Sequence, residues 1–360
     1  MKLAYIREAL YQHHADALVV INHEHSGQPD TAYIAGFTGS ESILVVTKDA
    51  QILCIDGRYT TRVKMESPDY EVRMVVRGRA YHGLVALFKE LGVDSLLLDP
   101  HIAKYSSVLT MNEIDPSIRI ISAPGLLQGL RQIKSGPEIQ KLQKAADIAC
   151  KAFDQLVKEI QVGKTEKWVA ARLEYLMKDM GADKYSFDTI VASGTNGAFP
   201  HYSPSTKELV SGELITIDWG CFLDGYASDM TRTVALGQIS DRLRDIYETV
   251  KGSQQAGLDK ASARVTGSGL DMVCRNYIDS KGYGQYFVHG TGHGLGMDVH
   301  EQPNVNSNND ELLPVNSVVS IEPGIYIEGV GGVRIEDCVV IKEDGCINLN
   351  DGVTKELMVL

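Results

Sequence analysis

Four carboxylates stand where strand-like runs ought to be apolar. In ELITIDWG, Asp218 follows Ile215 and Ile217 and precedes Trp219; Asp229 comes eleven residues later, in GYASDMTRT. Asp224-Gly225 lies between them and is a hairpin signal, so a turn there brings the two aspartates onto adjacent strands. Glu322 sits in SIEPGIYIEG behind Val318, Val319 and Ile321, and Glu336 sits in GGVRIEDCVVI between Ile335 and Asp337. An ionised carboxylate in a buried strand is strongly disfavoured unless it is paired or bound to a cation. For Asp218 and Asp229 alone, two readings are open: a shared divalent cation, or a surface Asp229–Arg232 ion pair. Arg334 lies two positions before Glu336 and is expected on the same face of an ideal strand.

Imidazoles are concentrated as well. HGTGHGLGMDVHE, residues 289–301, places His289, His293 and His300 within 12 positions, in a chain with 10 histidines. The glycines allow tight turns that set imidazoles against a crowded centre. A phosphate-cradling loop does not fit: there is no GK[ST], and the third glycine of a GxGxxG pattern falls on Leu295. Asp218, Asp229, Glu322 and Glu336 carry −4 with His293 neutral, a charge that two divalent ions balance. Five ligands shared by two ions leave room for a water-derived nucleophile, as in two-metal hydrolases. Carboxylate and imidazole donors without thiolate favour Mn, Co or Zn.

These residues need two kinds of scaffold. ALVVIN (17–22), SILVVT (42–47), QILCID (51–56) and SLLLD (95–99) read as strands, and LVALFKELG (84–92) as a helix, so the first part is a small α/β domain. Gly125, Gly129, Ser135, Gly136 and Pro137 mark a boundary, which gives domains 1–130 and 131–360. Ser135 and Glu138 form an expected capping box at the start of a helix through Phe153. A second helix follows Thr165, and a third covers Asp241 to Lys260. FDTIVAS, ELITIDWG, TRTVALG, SVVSIEPGIYI and GVRIEDCVVI read as strands, which makes the second part α+β.

The chain has 360 residues, 44 % hydrophobic and 23 % charged, which fits a globular protein of two or three domains. A net charge of −12 without any Lys/Arg-rich run argues against nucleic acid as a partner. The N-terminus lacks the apolar stretch of a signal peptide, and no run reaches a membrane span. Six scattered cysteines, with no CxxC pair, read as buried hydrophobes in a reducing compartment, so a cytoplasmic location is expected. His13, His14, His23, His25, His82 and His101 show no ligand pattern, and Trp219 reads as core.

The order Asp, Asp, His, Glu, Glu, in IDWGCFLDGYASDMTRT, HGTGHGLGMDVHE, SIEPGIY and GVRIED, resembles the pita-bread metallopeptidases, in their Xaa-Pro aminopeptidase and Xaa-Pro dipeptidase (prolidase) branch. TAYIAGFTGSES and IDGRYTTR resemble the creatinase-type N-terminal domain, so the likeness spans nearly the whole chain. It implies an α/β creatinase-like domain followed by an α+β pita-bread catalytic domain. It further implies two divalent ions per chain, with Mn first and Co or Zn as alternatives. Asp218, Asp229, His293, Glu322 and Glu336 would be the ligands. His201 in FPHYSP, with Pro200 and Tyr202 beside it, would lie near the substrate, and His289 and His300 would flank the metal histidine. Glu322 would carry a proton to the leaving nitrogen, and Arg334 would orient ligands. The implied state is a homodimer acting on proline-containing peptides.

One departure bears on substrate length. Many prolidases read HExPR after the last histidine, the arginine holding a dipeptide's carboxylate; here the run is His300-Glu301-Gln302-Pro303-Asn304. Without that charged contact an Xaa-Pro aminopeptidase is favoured over a strict dipeptidase. A non-catalytic binding protein on the same fold is a third reading, disfavoured because no ligand is missing.

Overall fold

A computed structural model describes residues 2–24 and 26–360. Backbone contacts divide the chain into two compact units, Met1–Leu130 and Arg131–Leu360.

The first unit is built on one six-stranded mixed sheet. Its strands are β1 (Ala17–Asn22), β2 (Ser42–Thr47), β3 (Gln51–Ile55), β4 (Glu71–Met74), β5 (Ser95–Leu98) and β6 (Arg119–Ser122), in the order β4-β3-β2-β1-β5-β6. β1, β2 and β3 pair antiparallel, and the outer pairs are parallel. The central strands β1 and β5 are buried on both faces, which is why they read as unbroken apolar runs. The helix Ala80–Leu91 packs Leu84, Leu87 and Phe88 on the sheet and ends at Gly92, whose φ of 66° suits glycine. His13, His14, His23, His82 and His101 join no metal-ligating group among the described residues; His25 lies outside them. His23 instead contacts Ser107 Oγ at 3.0 Å.

In the second unit, β7 (Lys184–Tyr185), β10 (Cys221–Leu223) and β11 (Tyr226–Ala227) form one small sheet, and β8 (Ile190–Ser193), β9 (Glu213–Trp219) and β12 (Met230–Leu236) another. β13 (Gly292–Gly294), β14 (Glu301–Val305), β15 (Val318–Ile321), β18 (Asp337–Ile341) and β19 (Cys346–Asn348) form a five-stranded sheet. β16 (Gly324–Ile327) and β17 (Gly331–Arg334) make a separate pair. Helices Gly136–Leu156 and Glu166–Asp179 cover Ile215, Ile217, Trp219, Met230 and Val234. Helices Asp241–Lys260 and Gly267–Ser280 cover Val319, Ile321, Val333, Ile335 and Val339. The capping box at Ser135 is present, with Glu138 accepting from Ser135 N at 2.8 Å and from its hydroxyl at 2.5 Å.

Strand alternation explains where the aspartates point. Ile215, Ile217 and Trp219 face the helices; the other face carries Thr216 and Asp218. Trp219 is fully buried, stacks on Phe153 at 4.5 Å, and donates its indole N–H to Ala149 O. Asp224 (φ 50°) and Gly225 (φ 79°) make the tight turn of the β10–β11 hairpin.

Two expectations need correction, and one helix was missed. The run SVVSIEPGIYI is two strands, β15 and β16, because Pro323 has no N–H to continue the ladder. GVRIEDCVVI is likewise split between β17 and β18, so Arg334 and Glu336 do not share one strand. The helix Gly267–Ser280 was hidden by Gly267 and Gly269, although Leu270, Cys274 and Ile278 recur at helical spacing and Thr266 Oγ1 caps Gly269 N at 2.9 Å.

Candidate metal centre

Asp218, on β9, is 9 % exposed, and its Oδ2 takes Arg334 Nη2 at 2.5 Å. Asp229, 4 % exposed, lies just before β12. His293 is on β13, held by its N–H to Ser320 Oγ (3.0 Å) and by Nδ1 to Gly294 O (3.1 Å), so Nε2 is the nitrogen left to face the carboxylates. That nitrogen lies 3.3 Å from Glu322 Oε1 and 3.6 Å from Asp229 Oδ2. Glu336, 1 % exposed, bridges across to β12: its N–H donates to Thr231 O (3.1 Å) and its Oε2 accepts from Thr231 Oγ1 (2.7 Å). One ligand atom from each of Asp229, His293 and Glu336 lies within 4.8 Å of the others. The ion pair weighed for Asp229 and Arg232 does not form; Arg232 is buried against Asp337 at 2.7 Å.

Electrostatics in this cluster show a shortage of positive charge. Burial, and then the neighbouring Asp218, push Asp229 well above the usual carboxylate range. Burial, then Asp229 and Glu322, do the same to Glu336. Asp218 is raised by burial, against the pull of Arg334. His293 goes the other way for an imidazole: burial lowers it, but Glu322 outweighs burial and lifts it to about 9. Burial would raise Glu322, yet its bond to His293 brings it down to about 2. Protons thus gather where cations are wanted. Asp218 Oδ1 and Glu336 Oε1 are buried with no hydrogen-bond partner, a state that an inward-facing cation relieves. Hard oxygen donors with one imidazole suit a divalent ion, so the residues fit the metal that the sequence implies.

The cluster floors a cavity of about 480 Å³. Its lining includes all nine residues singled out from the sequence: His201, Asp218, Asp229, His289, His293, His300, Glu322, Arg334 and Glu336. His289 Nδ1 contacts Gly290 O (2.8 Å), which can only accept, so this nitrogen carries the proton. Burial lowers its pKa and keeps the ring neutral, and Nε2 therefore accepts from Tyr326 Oη at 2.9 Å. Tyr326 Oη in turn accepts from Arg334 Nη1 at 2.9 Å. His201 and His300 make no hydrogen bond to any described residue and face the cavity; the His300 ring lies 4.2 Å from that of His293.

Thr231, Ser320 and Tyr326 were not singled out from the sequence, because their partners lie far along the chain. Thr231 donates to Glu336 and accepts from Arg334 Nε at 3.1 Å. Asn304 is not among the residues lining the cavity, and its side chain turns to Gln302 Oε1 at 3.5 Å. Arg334 is the only Lys or Arg among the described residues of the lining, and so the one side chain there that could clamp a substrate carboxylate. Its nitrogens are taken by Asp218, Thr231, Tyr326 and Pro200 O.

Comparison with known proteins gives these features a common source. Residues 140–343 match the model of metallopeptidase family M24, and residues 2–133 that of the creatinase/prolidase N-terminal domain. The Xaa-Pro dipeptidase of Pyrococcus horikoshii is 35 % identical, over 96 % of this chain and 95 % of its own. Among solved structures, the Xaa-Pro dipeptidase from Bacillus anthracis superposes with a TM-score of 0.94 at 37 % identity, covering 100 % of this chain and 99 % of that one. The X-Pro aminopeptidase from Thermotoga maritima gives 0.91 at 37 % identity, covering 98 % and 100 %. Fold and site chemistry thus agree with the sequence likeness along the whole chain, which belongs to metallopeptidase family M24.

Proposed function

We propose that the protein is an Xaa-Pro aminopeptidase that removes the residue before a proline at the N-terminus of peptides. The family supplies the metallopeptidase chemistry; the preference for peptides longer than two residues rests on Arg334. A dipeptide carries its free carboxylate next to the scissile bond and needs a cationic partner there. Arg334 is the one Lys or Arg among the described residues of the lining, and four of its five N–H groups already go to Asp218, Thr231, Tyr326 and Pro200 O. A longer peptide presents a neutral amide at that place instead.

In this reading Asp218, Asp229, His293, Glu322 and Glu336 hold two divalent ions, with Mn proposed first and Co or Zn as alternatives. When bound, such ions supply the charge that acidifies a water and polarises a carbonyl. His201 and His300 present free ring nitrogens to the oxygen that gains charge as the amide is attacked. Glu322, on the cavity wall, carries the proton that the leaving nitrogen must take up, since the nitrogen of an Xaa-Pro bond has no hydrogen of its own. His289, with both ring nitrogens engaged, holds Tyr326 and through it Arg334.

We further propose that residues 1–130 and 131–360 are separate functional domains and that the protein works as a cytoplasmic homodimer. The division of the chain into two compact units supports the first, and six free thiols support a reducing compartment. The homodimer rests on the family resemblance.

The test is hydrolysis by metal-stripped protein with Mn, Co or Zn restored, comparing an Xaa-Pro dipeptide with an Xaa-Pro-Xaa tripeptide. The expected kcat/KM for the tripeptide is about tenfold higher or more, the scale of one unmet charged contact. Cleavage of the dipeptide alone makes the protein a prolidase. Cleavage of neither, with any of the metals, rejects the activity.

A further inference from the structure

The stretch between Ser193 and Ser205 carries His201 and Tyr202, both in the cavity lining. Apart from a 3-10 turn at Gly194–Ala198 it has no regular structure. A segment without ladder hydrogen bonds is placed by whatever ties its ends. Here both ends are tied to one carboxylate.

Glu166 opens the helix Glu166–Asp179 and is fully buried. Its Oε1 accepts from Ser193 N (2.8 Å), Ser193 Oγ (2.8 Å) and Asn196 Nδ2 (3.0 Å). Its Oε2 accepts from Ser205 N (3.1 Å) and Ser205 Oγ (2.7 Å). Asn196 Nδ2 also donates to Tyr202 Oη at 2.7 Å, which continues the chain of bonds from the helix to the cavity wall. An acid in a first helical turn ordinarily serves the helix dipole. That role needs no burial and no distant donors, whereas Glu166 spends its acceptors on a segment 27 to 39 residues away.

Its ionised form is what this geometry requires. A carboxylate offers acceptors on both oxygens, and each oxygen here faces a backbone N–H. A glutamine, turned either way, sets its own N–H against one of them. Burial would raise Glu166, but the donors from Ser205, Asn196 and Ser193 outweigh it and hold it below its ordinary value.

We propose that Glu166 is a positioning residue for the substrate: by tying Ser193, Asn196 and Ser205 it fixes the wall on which His201 and Tyr202 stand. The choice of substrate in its test rests on the peptidase reading above. Glu166 does not touch the metal ligands, so Glu166→Gln is expected to leave metal uptake unchanged. KM for the tripeptide should rise about tenfold, while kcat changes less than about threefold. Asn196→Ala removes the link to Tyr202 and one of the five bonds to Glu166, and should give a smaller rise in KM. In Tyr202→Phe the part of the Asn196→Ala effect that runs through the Tyr202 hydroxyl should vanish, so the double variant is less than additive.

Hydrogen exchange of the amides of residues 194–204 is a second readout that needs no substrate. Faster exchange in Glu166→Gln, confined to that segment, is expected. If the wild type cleaves neither peptide, the peptidase reading fails and the exchange result alone decides this proposal. Unchanged KM together with unchanged exchange overturns it, as does additivity of the Asn196 and Tyr202 changes. Should Glu166→Gln not fold, the Asn196–Tyr202 pair decides.

Discussion

At the scale of single residues, Thr231 is the hinge of the candidate centre. Its hydroxyl hydrogen goes to Glu336, and its oxygen accepts from Arg334, which holds Asp218. One oxygen thus orients two carboxylates, Asp218 on β9 and Glu336 between β17 and β18. Partners of this kind change metal affinity or activity by about 10–100-fold when removed. Thr231→Val keeps the β-branched shape and removes the hydroxyl, so the fold should survive while metal affinity or kcat/KM falls on that scale. Thr231→Ser should retain both. Titration calorimetry with Mn and a tripeptide assay check this; Thr231→Val within twofold of wild type in both would show that Glu336 needs no such support. Thr231 also marks how far the sequence could be read. Asp218, Asp229, Glu322 and Glu336 stood out because a carboxylate in an apolar strand demands an explanation. A threonine in TRT demands none, since threonine is a common strand residue. Its role exists only because Glu336, 105 positions later, is brought opposite it. Glu166 escaped notice for the same reason, being an ordinary acid for a helix start.

At the scale of elements, the placement of His293 depends on the closeness of β13 and β15. A Cβ on Gly292 would collide with the carbonyl oxygen and the hydroxyl of Ser320, the residue whose hydroxyl also receives His293 N–H. A backbone carbonyl cannot step aside as a long side chain can. Gly292→Ala should therefore push the strands apart, cost about 1–3 kcal/mol of stability, and lower metal affinity. Gly345→Ala, where a Cβ meets nothing, is the control and should leave both unchanged. Thermal unfolding and metal content measure the pair of variants; a Gly292→Ala protein with wild-type melting and metal content would refute the argument. The elements were legible wherever period and punctuation agreed, as at the Ser135 capping box, the Asp224-Gly225 turn and the apolar runs of β1 and β9. They were not legible where glycines interrupt a helix, as at Gly267, or where one apolar run serves two sheets, as on either side of Glu336.

At the scale of the whole molecule, the buried cluster links stability to pH and to metal. Without cations, Asp229 and Glu336 sit well above their ordinary 3.8 and 4.5, and His293 sits at about 9 instead of 6.5. A group with a raised folded pKa stabilises the native state fully below its unfolded value, and the contribution is lost as pH rises through the folded value. His293 therefore weakens the metal-free protein as pH rises from 6.5 through about 9, and Asp229 and Glu336 act with the same sign above their ordinary values. Glu322, brought down to about 2, contributes fully above 4.5 and adds no slope in that window. His289 and His300, lowered by burial, act with the opposite sign but only below the ordinary imidazole value of 6.5. Metal binding needs the same groups deprotonated, so its affinity rises with pH as the metal-free form weakens. Excess ligand adds RT ln(1 + [L]/Kd) to native stability, and that increment must therefore grow with pH. The Tm difference between Mn-saturated and metal-stripped protein should thus widen steadily from pH 7 to pH 9. Groups elsewhere in the chain cancel in this difference, because both forms share them. A difference that stays flat or narrows over that range would mean that His293 does not hold the proton that Glu322 and Asp229 draw onto it, and the charge balance proposed for a dinuclear centre would fall with it.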